Sequence, residues 1–197
     1  MSSTAHAVSA PHLTDTGIPN SKLGMWLFIA SEIMFFTGLL AAYVILRIGH
    51  PHWPGSEGHL SVAIGTTNTL ILLCSSTTIV MALADAQRGR HGASRAWLLA
   101  TVLLGSLFVG IKGYEYSLKF EHHIYPSTNI FWSCYFVLTG FHGLHVIGGI
   151  IANLYLLFKS STGRLPAAKV YQLELAGLYW HFVDIVWLFL FPMIYLI

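Results

Sequence analysis

The stretch LGMWLFIASEIMFFTGLLAAYVIL, residues 23–46, decides the fold. Its single charged residue is Glu32. Roughly 20 apolar residues are enough for an α-helix to cross the hydrocarbon layer of about 30 Å. At about 1.5 Å per residue, Glu32 falls roughly 13 Å from Leu23, close to the bilayer midplane. An ionised carboxylate at that depth costs several kcal/mol, so such a residue faces protein or water and is by default a functional candidate. The plainer alternative is a protonated or hydrogen-bonded glutamate that fastens two helices together.

Composition supports a membrane reading throughout. Of 197 residues, 55% are hydrophobic and 9% charged, with a mean hydropathy of +0.65. A soluble domain carries about 25% charge, so the chain reads as an integral membrane protein. A dispersed net charge of +2 gives no basis for nucleic-acid binding. Cys74 and Cys134 lie in separate apolar spans, which supports neither a disulfide framework nor a cysteine metal site. Residues 1–21 form a polar tail rich in Ser, Thr and His, expected to be mobile. It lacks the apolar core and cleavage site of a signal peptide, so the first helix is expected to direct insertion. Residues 22–197 then make up the membrane domain.

Four further apolar spans follow, at about 60–84, 96–118, 130–158 and 175–197. Turn-forming segments separate them, with GHPHWPGSEG at 49–58 and SSTGRLP at 160–166 the clearest. The short alternating segments of a β-barrel are absent, and the expected fold is an all-α bundle of five transmembrane helices. One face collects Lys22, Arg88, Arg90, Arg95, Lys159, Arg164 and Lys169, against Arg47 and Lys119 on the other, with Lys112 deeper. That asymmetry predicts the N-terminus inside and the C-terminus outside. Trp26, Trp53, Trp97, Trp132, Tyr171 and Tyr195 fall near span ends, as in interfacial belts.

With that orientation the intramembrane polar groups can be compared by depth. His142 and His145 lie about 18 and 22 Å from Ile130, and His181 and Asp184 about 9 and 13 Å from Leu175. Glu32, His142, His145, His181 and Asp184 are therefore expected to share one layer. Glu174, His181 and Asp184 lie on one side of a helix. Three readings of this layer stand side by side. Imidazoles at i, i+3 could ligate haem or a metal. A buried series of Glu, Asp and His could move protons. The same groups could be polar glue between helices, aided by small residues along the fourth span, where Gly148 and Ala152 form the small-xxx-small pair. The Thr, Ser and Asn run of the second span (66–69 and 75–78) reads as bonds to its own carbonyls or to a neighbouring helix. Lys112 and Glu115 read as a local salt bridge.

Three segments together carry a family resemblance: ASEIMFF at 30–36, GFHGLHVIG at 140–148 and YWHFVDIVWLF at 179–189. Asn68, Thr69 and GYEY at 113–116 fit weaker patterns between them. On these residues the chain resembles subunit III of the haem-copper terminal oxidases, of the cytochrome c oxidase kind, in a short five-helix bacterial form. The longest members have seven helices, and this chain starts at the equivalent of their third. One wall of the lipid-filled cleft that the resemblance implies for them is thus missing.

The resemblance implies an accessory subunit of an oxidoreductase complex in the bacterial cytoplasmic membrane. It implies no catalytic residue, metal or cofactor in this chain, with haem and copper in partner subunits I and II. The implied role is packing on subunit I, binding phospholipid and supporting proton uptake and stability, with no small-molecule substrate of its own. Glu32 matches the family's intramembrane glutamate, where quinol-oxidase relatives tend to have aspartate, which points to the cytochrome c branch. Lys159, Arg164 and Lys169 are candidate contacts for lipid headgroups. The alternatives are subunit III of a quinol oxidase, a nitric-oxide-reductase accessory protein, and, from another class, a small membrane cytochrome using His142, His145 and His181.

Overall fold

A computed structural model describes residues 19–55, 60–161 and 170–196. Most of the polar tail therefore lies outside the described residues, as do Arg164 and Lys169. Five helices follow in order: α1 (Asn20–Gly49), α2 (Val62–Gln87), α3 (His91–Glu121), α4 (Ile130–Ser161) and α5 (Tyr171–Phe191). Each is long and apolar enough to cross a membrane. Most run past the apolar spans, so that every backbone group within the hydrocarbon is paired inside its own helix.

Side chains cap the starts of α2 and α4. The Ser61 hydroxyl accepts from the Ile64 amide at 3.4 Å, and the Asn129 side-chain oxygen accepts from the Trp132 amide at 2.9 Å. At the other end of the chain, Pro192 has no amide hydrogen to continue the α-helical ladder. The backbone widens there into a π turn, Pro192–Leu196. That turn carries Tyr195 into the interior.

The helices alternate in direction. Lys22 at the start of α1 meets Glu174 at the start of α5, while Tyr43 near the end of α1 donates to the Met193 carbonyl at 3.0 Å. Helices α2 to α5 form the packed body, with α2 and α3 in the most extensive contact. Helix α1 leans on this body through α5 and, more sparsely, α4.

At the centre of the body sits Trp180 of α5, fully buried. Its indole N–H donates to the Ser75 hydroxyl of α2 at 3.0 Å. Its ring lies against two backbones. A Cβ added at Gly105 of α3 would sit 2.6 Å from the ring, and one added at Gly149 of α4 would sit 2.7 Å from it. The close approach expected of the fourth span is therefore made at Gly149. Gly148, its neighbour in the small-xxx-small pair with Ala152, meets only the Tyr179 hydroxyl at 3.5 Å. The interfacial reading of the aromatics also divides: Trp26, Trp97 and Tyr171 are exposed, whereas Trp132 and Tyr195 belong to the core.

Overpacking a rigid site costs about 1–3 kcal/mol. Gly105→Ala or Gly149→Ala should lower the thermal midpoint of the purified protein by that equivalent, because the pinned indole cannot move aside. Gly110→Ala, on the same α3 but with nothing within 4 Å of its Cβ, should leave the midpoint unchanged.

Candidate functional site: the polar interior of the bundle

The single polar layer expected from depth resolves into separate clusters on different helix pairs. The first joins α1 to α4. His145 Nε2 lies 3.0 Å from Glu32 Oε2, and His145 Nδ1 lies 2.7 Å from the Phe141 carbonyl. A carbonyl only accepts, so Nδ1 carries a hydrogen. The contact to Glu32 then needs a proton held by one partner or the other, and in either form the pair has no net charge. Tyr179 donates to the His145 carbonyl at 3.0 Å, and Phe36 lies edge-on to the imidazole.

The second cluster joins α2 to α5. The Ser76 hydroxyl is bonded to Asp184 Oδ2 and lies 2.8 Å from His181 Nδ1. Asp184 Oδ1 is buried without a protein partner. Around these groups the hydroxyl-rich run of α2 behaves as the sequence suggests. Thr66, Thr67, Thr69 and Thr77 return their hydroxyls to carbonyls one turn back. Thr69 also accepts from the Trp187 indole at 3.0 Å, and Thr78 pairs with Thr101 of α3 at 2.8 Å.

His142 and Glu174 join neither cluster. His142 is buried, stacked on Trp187 at 5.2 Å and edge-on to Phe108 at 5.7 Å, and neither ring nitrogen has a protein partner. One turn of helix separates it from His145, but that turn points the two rings to different neighbours. Glu174 is not part of a buried layer. Its side chain is 39% exposed and pairs with Lys22 at 2.6 Å, because it sits in the first turn of α5. Lys159 donates to the Gln172 side chain of α5 at 2.9 Å.

The densest charged cluster is one the sequence reading reduced to a local pair. Glu115 of α3 is 4% exposed and lies between two lysines of its own helix. Lys112 Nζ is 2.9 Å from Oε2, and Lys119 Nζ is 2.9 Å from Oε1. Tyr195 donates to the same carboxylate, 2.8 Å from Oε1, as does Tyr135 of α4 at 3.1 Å. Lys112 also contacts the Tyr195 hydroxyl and lies 4.8 Å from the Trp187 ring centre, a cation–π distance. Lys119, read from the sequence as a flanking surface charge, is 3% exposed. The available signal was its i, i+4 spacing from Glu115, opposite the i, i+3 spacing of Lys112. The partners Tyr135 and Tyr195, 20 and 80 residues away, carry no such signal.

Five membrane-length helices tied by ion pairs and hydroxyl contacts define an integral membrane bundle. The profile of the family Cytochrome c oxidase subunit III matches residues 7–197. A probable cytochrome c oxidase subunit 3 of Nocardia farcinica is 34% identical over 98% of this chain and 92% of its own length. The cytochrome c oxidase subunit 3 of Thermostichus vulcanus is 38% identical over 89% of this chain and 86% of its own. A probable counterpart in Mycobacterium leprae is 36% identical over 100% and 94%. The chain belongs to the cytochrome c oxidase subunit III family and is a multi-pass membrane subunit of a haem-copper oxidase complex.

Removing one partner of a buried ion pair strands the other charge, at a cost of about 3–5 kcal/mol. Glu115→Gln, which leaves two lysines facing a neutral amide, should destabilise the protein by that order in thermal unfolding. The triple change Glu115→Gln, Lys112→Met, Lys119→Met should recover most of the loss. If Glu115→Gln is silent, the cluster does not hold α3, α4 and α5 together at that end of the bundle.

Proposed function

We propose that this chain is an accessory subunit that holds no redox centre. In this reading it packs on the catalytic subunit I of a cytochrome c oxidase, in the cytoplasmic membrane of a bacterium, with its N-terminus inside and its C-terminus outside. Haem and copper then reside in subunits I and II. This chain contributes stability, a lipid-bearing surface and support for proton uptake. The bacterial relatives named above support the setting, and their names support cytochrome c as donor. The charge asymmetry at the helix ends supports the orientation.

One observation carries the accessory reading. The described acids inside the membrane are engaged with neighbouring side chains: Glu32 with His145, Asp184 with Ser76, and Glu115 with two lysines and two tyrosines. Groups committed in this way hold helices. Their proton-bearing contacts also suit a supporting role beside a proton-pumping partner. Lys159, bridged to α5, is the described member of the basic set proposed to meet lipid headgroups.

Purification through a tag on this chain should bring down a haem-copper subunit, seen as a haem absorption band in the eluate. Recovery of the chain without haem protein would refute the proposal. In the assembled complex, Glu32→Gln should keep oxygen-consuming turnover, since no electron passes through that carboxyl. The same substitution should abolish labelling of this chain by a hydrophobic carbodiimide, because Glu32 is the partly accessible acid at mid-membrane depth.

A further inference from the structure

The loose seating of α1 leaves a groove between it and α5. The groove is a cavity of about 420 Å³ that extends along α1 from Trp26 to Leu40. Its central lining is Ile33, Phe36 and Thr37 of α1, with Leu178, His181 and Ile185 of α5. Fourteen residue steps at about 1.5 Å make it about 21 Å long. The volume falls within the range of about 300–1,000 Å³ usual for small-molecule sites. A groove of that length and volume accommodates a single extended chain.

His181 is the titratable group in this apolar lining. Its Nδ1 is engaged by Ser76, which leaves Nε2 as the ring's remaining hydrogen-bonding atom, on a residue that borders the groove. An imidazole nitrogen left against hydrocarbon is costly, so an occupant that bonds to it is favoured over a bare alkyl chain. His181 lies ten residues into α5, about 15 Å from its start. That depth is beyond the charged headgroup of a phospholipid, whose acyl chain offers no hydrogen-bonding atom there. What reaches it is a neutral lipid whose polar group is a hydroxyl or a carbonyl.

We infer that the α1–α5 groove binds a prenylquinone-type lipid, its ring between Ile33, Phe36 and Ile185, its oxygen on His181 Nε2 and its tail along the groove. The hydrogen bonds behind His181 suit both redox forms of such a molecule. When the Ser76 hydroxyl donates to the Asp184 carboxylate, His181 Nδ1–H donates to Ser76, and Nε2 accepts a hydrogen bond from a quinol hydroxyl. When Asp184 holds a proton and donates to Ser76, Ser76 donates to Nδ1, and Nε2–H donates to a quinone carbonyl. The second arrangement holds one proton more on the protein. The inference concerns binding alone; no electron transfer is assigned to this chain.

The test uses the purified oxidase complex in phosphatidylcholine nanodiscs, with a short-chain prenylquinone that carries a photoreactive diazirine on its tail. Peptides from 23–46 and 171–191 should be labelled, and unlabelled prenylquinone should compete. Ile33→Trp, which fills the groove without touching the hydrogen-bonded trio, should abolish the labelling while the complex stays assembled. His181→Leu should weaken competition by about tenfold, the worth of one buried hydrogen bond. Labelling insensitive to both substitutions, or confined to other subunits, would overturn the inference. So would capture of phospholipid or of a neighbouring polypeptide by a photocrosslinking side chain placed at Ile185.

Discussion

The bundle depends on the seating of one indole. In a bilayer, helices gain nothing by hiding apolar surface from lipid, so association rests on close packing and on hydrogen bonds. Trp180 supplies both at one point. Its ring lies on the backbones of α3 and α4 where Gly105 and Gly149 present no side chain, and its N–H reaches Ser75 of α2. Four helices therefore meet around one side chain. The neighbouring residues of α5, His181 and Asp184, are set against Ser76 by the same seating.

The remaining polar groups extend that body in two directions. Toward the ends of α3 and α4, the Lys112–Glu115–Lys119 cluster gathers Tyr135 and, through the π turn after Pro192, Tyr195. A carboxylate that receives four donors, with aromatic faces over the lysines, has its charge met in a setting of low dielectric. Toward α1 the contacts are fewer. That helix is fastened at its start by Lys22–Glu174, near its middle by Glu32–His145 and at its end by Tyr43–Met193, with apolar gaps between the fastenings. The Glu32–His145 pair is accordingly the mid-membrane tie between a tight four-helix body and a helix seated beside it.

The same arrangement explains how a membrane subunit retains so many ionisable groups. Each acid that would be costly alone in hydrocarbon is matched by a donor from another element or another turn. His142 differs, since aromatic rings enclose it and no protein atom bonds to its nitrogens. Its stacking on Trp187 connects the α4 histidine motif to the same aromatic core that receives Lys112.

From the sequence alone came the five spans, the polar residues within them and the family resemblance, because hydrocarbon thickness and backbone pairing tie length and hydropathy directly to helices. The behaviour of the α2 hydroxyls was legible too, since a hydroxyl in a helix bonds locally to the preceding turn. Tertiary structure decided the rest. Depth along each helix is fixed by a common rise per residue, but the direction in which a side chain leaves the helix depends on how the helices rotate against one another. That rotation separated His142 from His145 and turned Lys119 inward. It also chose Gly149 over Gly148 as the point of closest approach, and it brought Tyr195 back to Glu115 across 80 residues of chain.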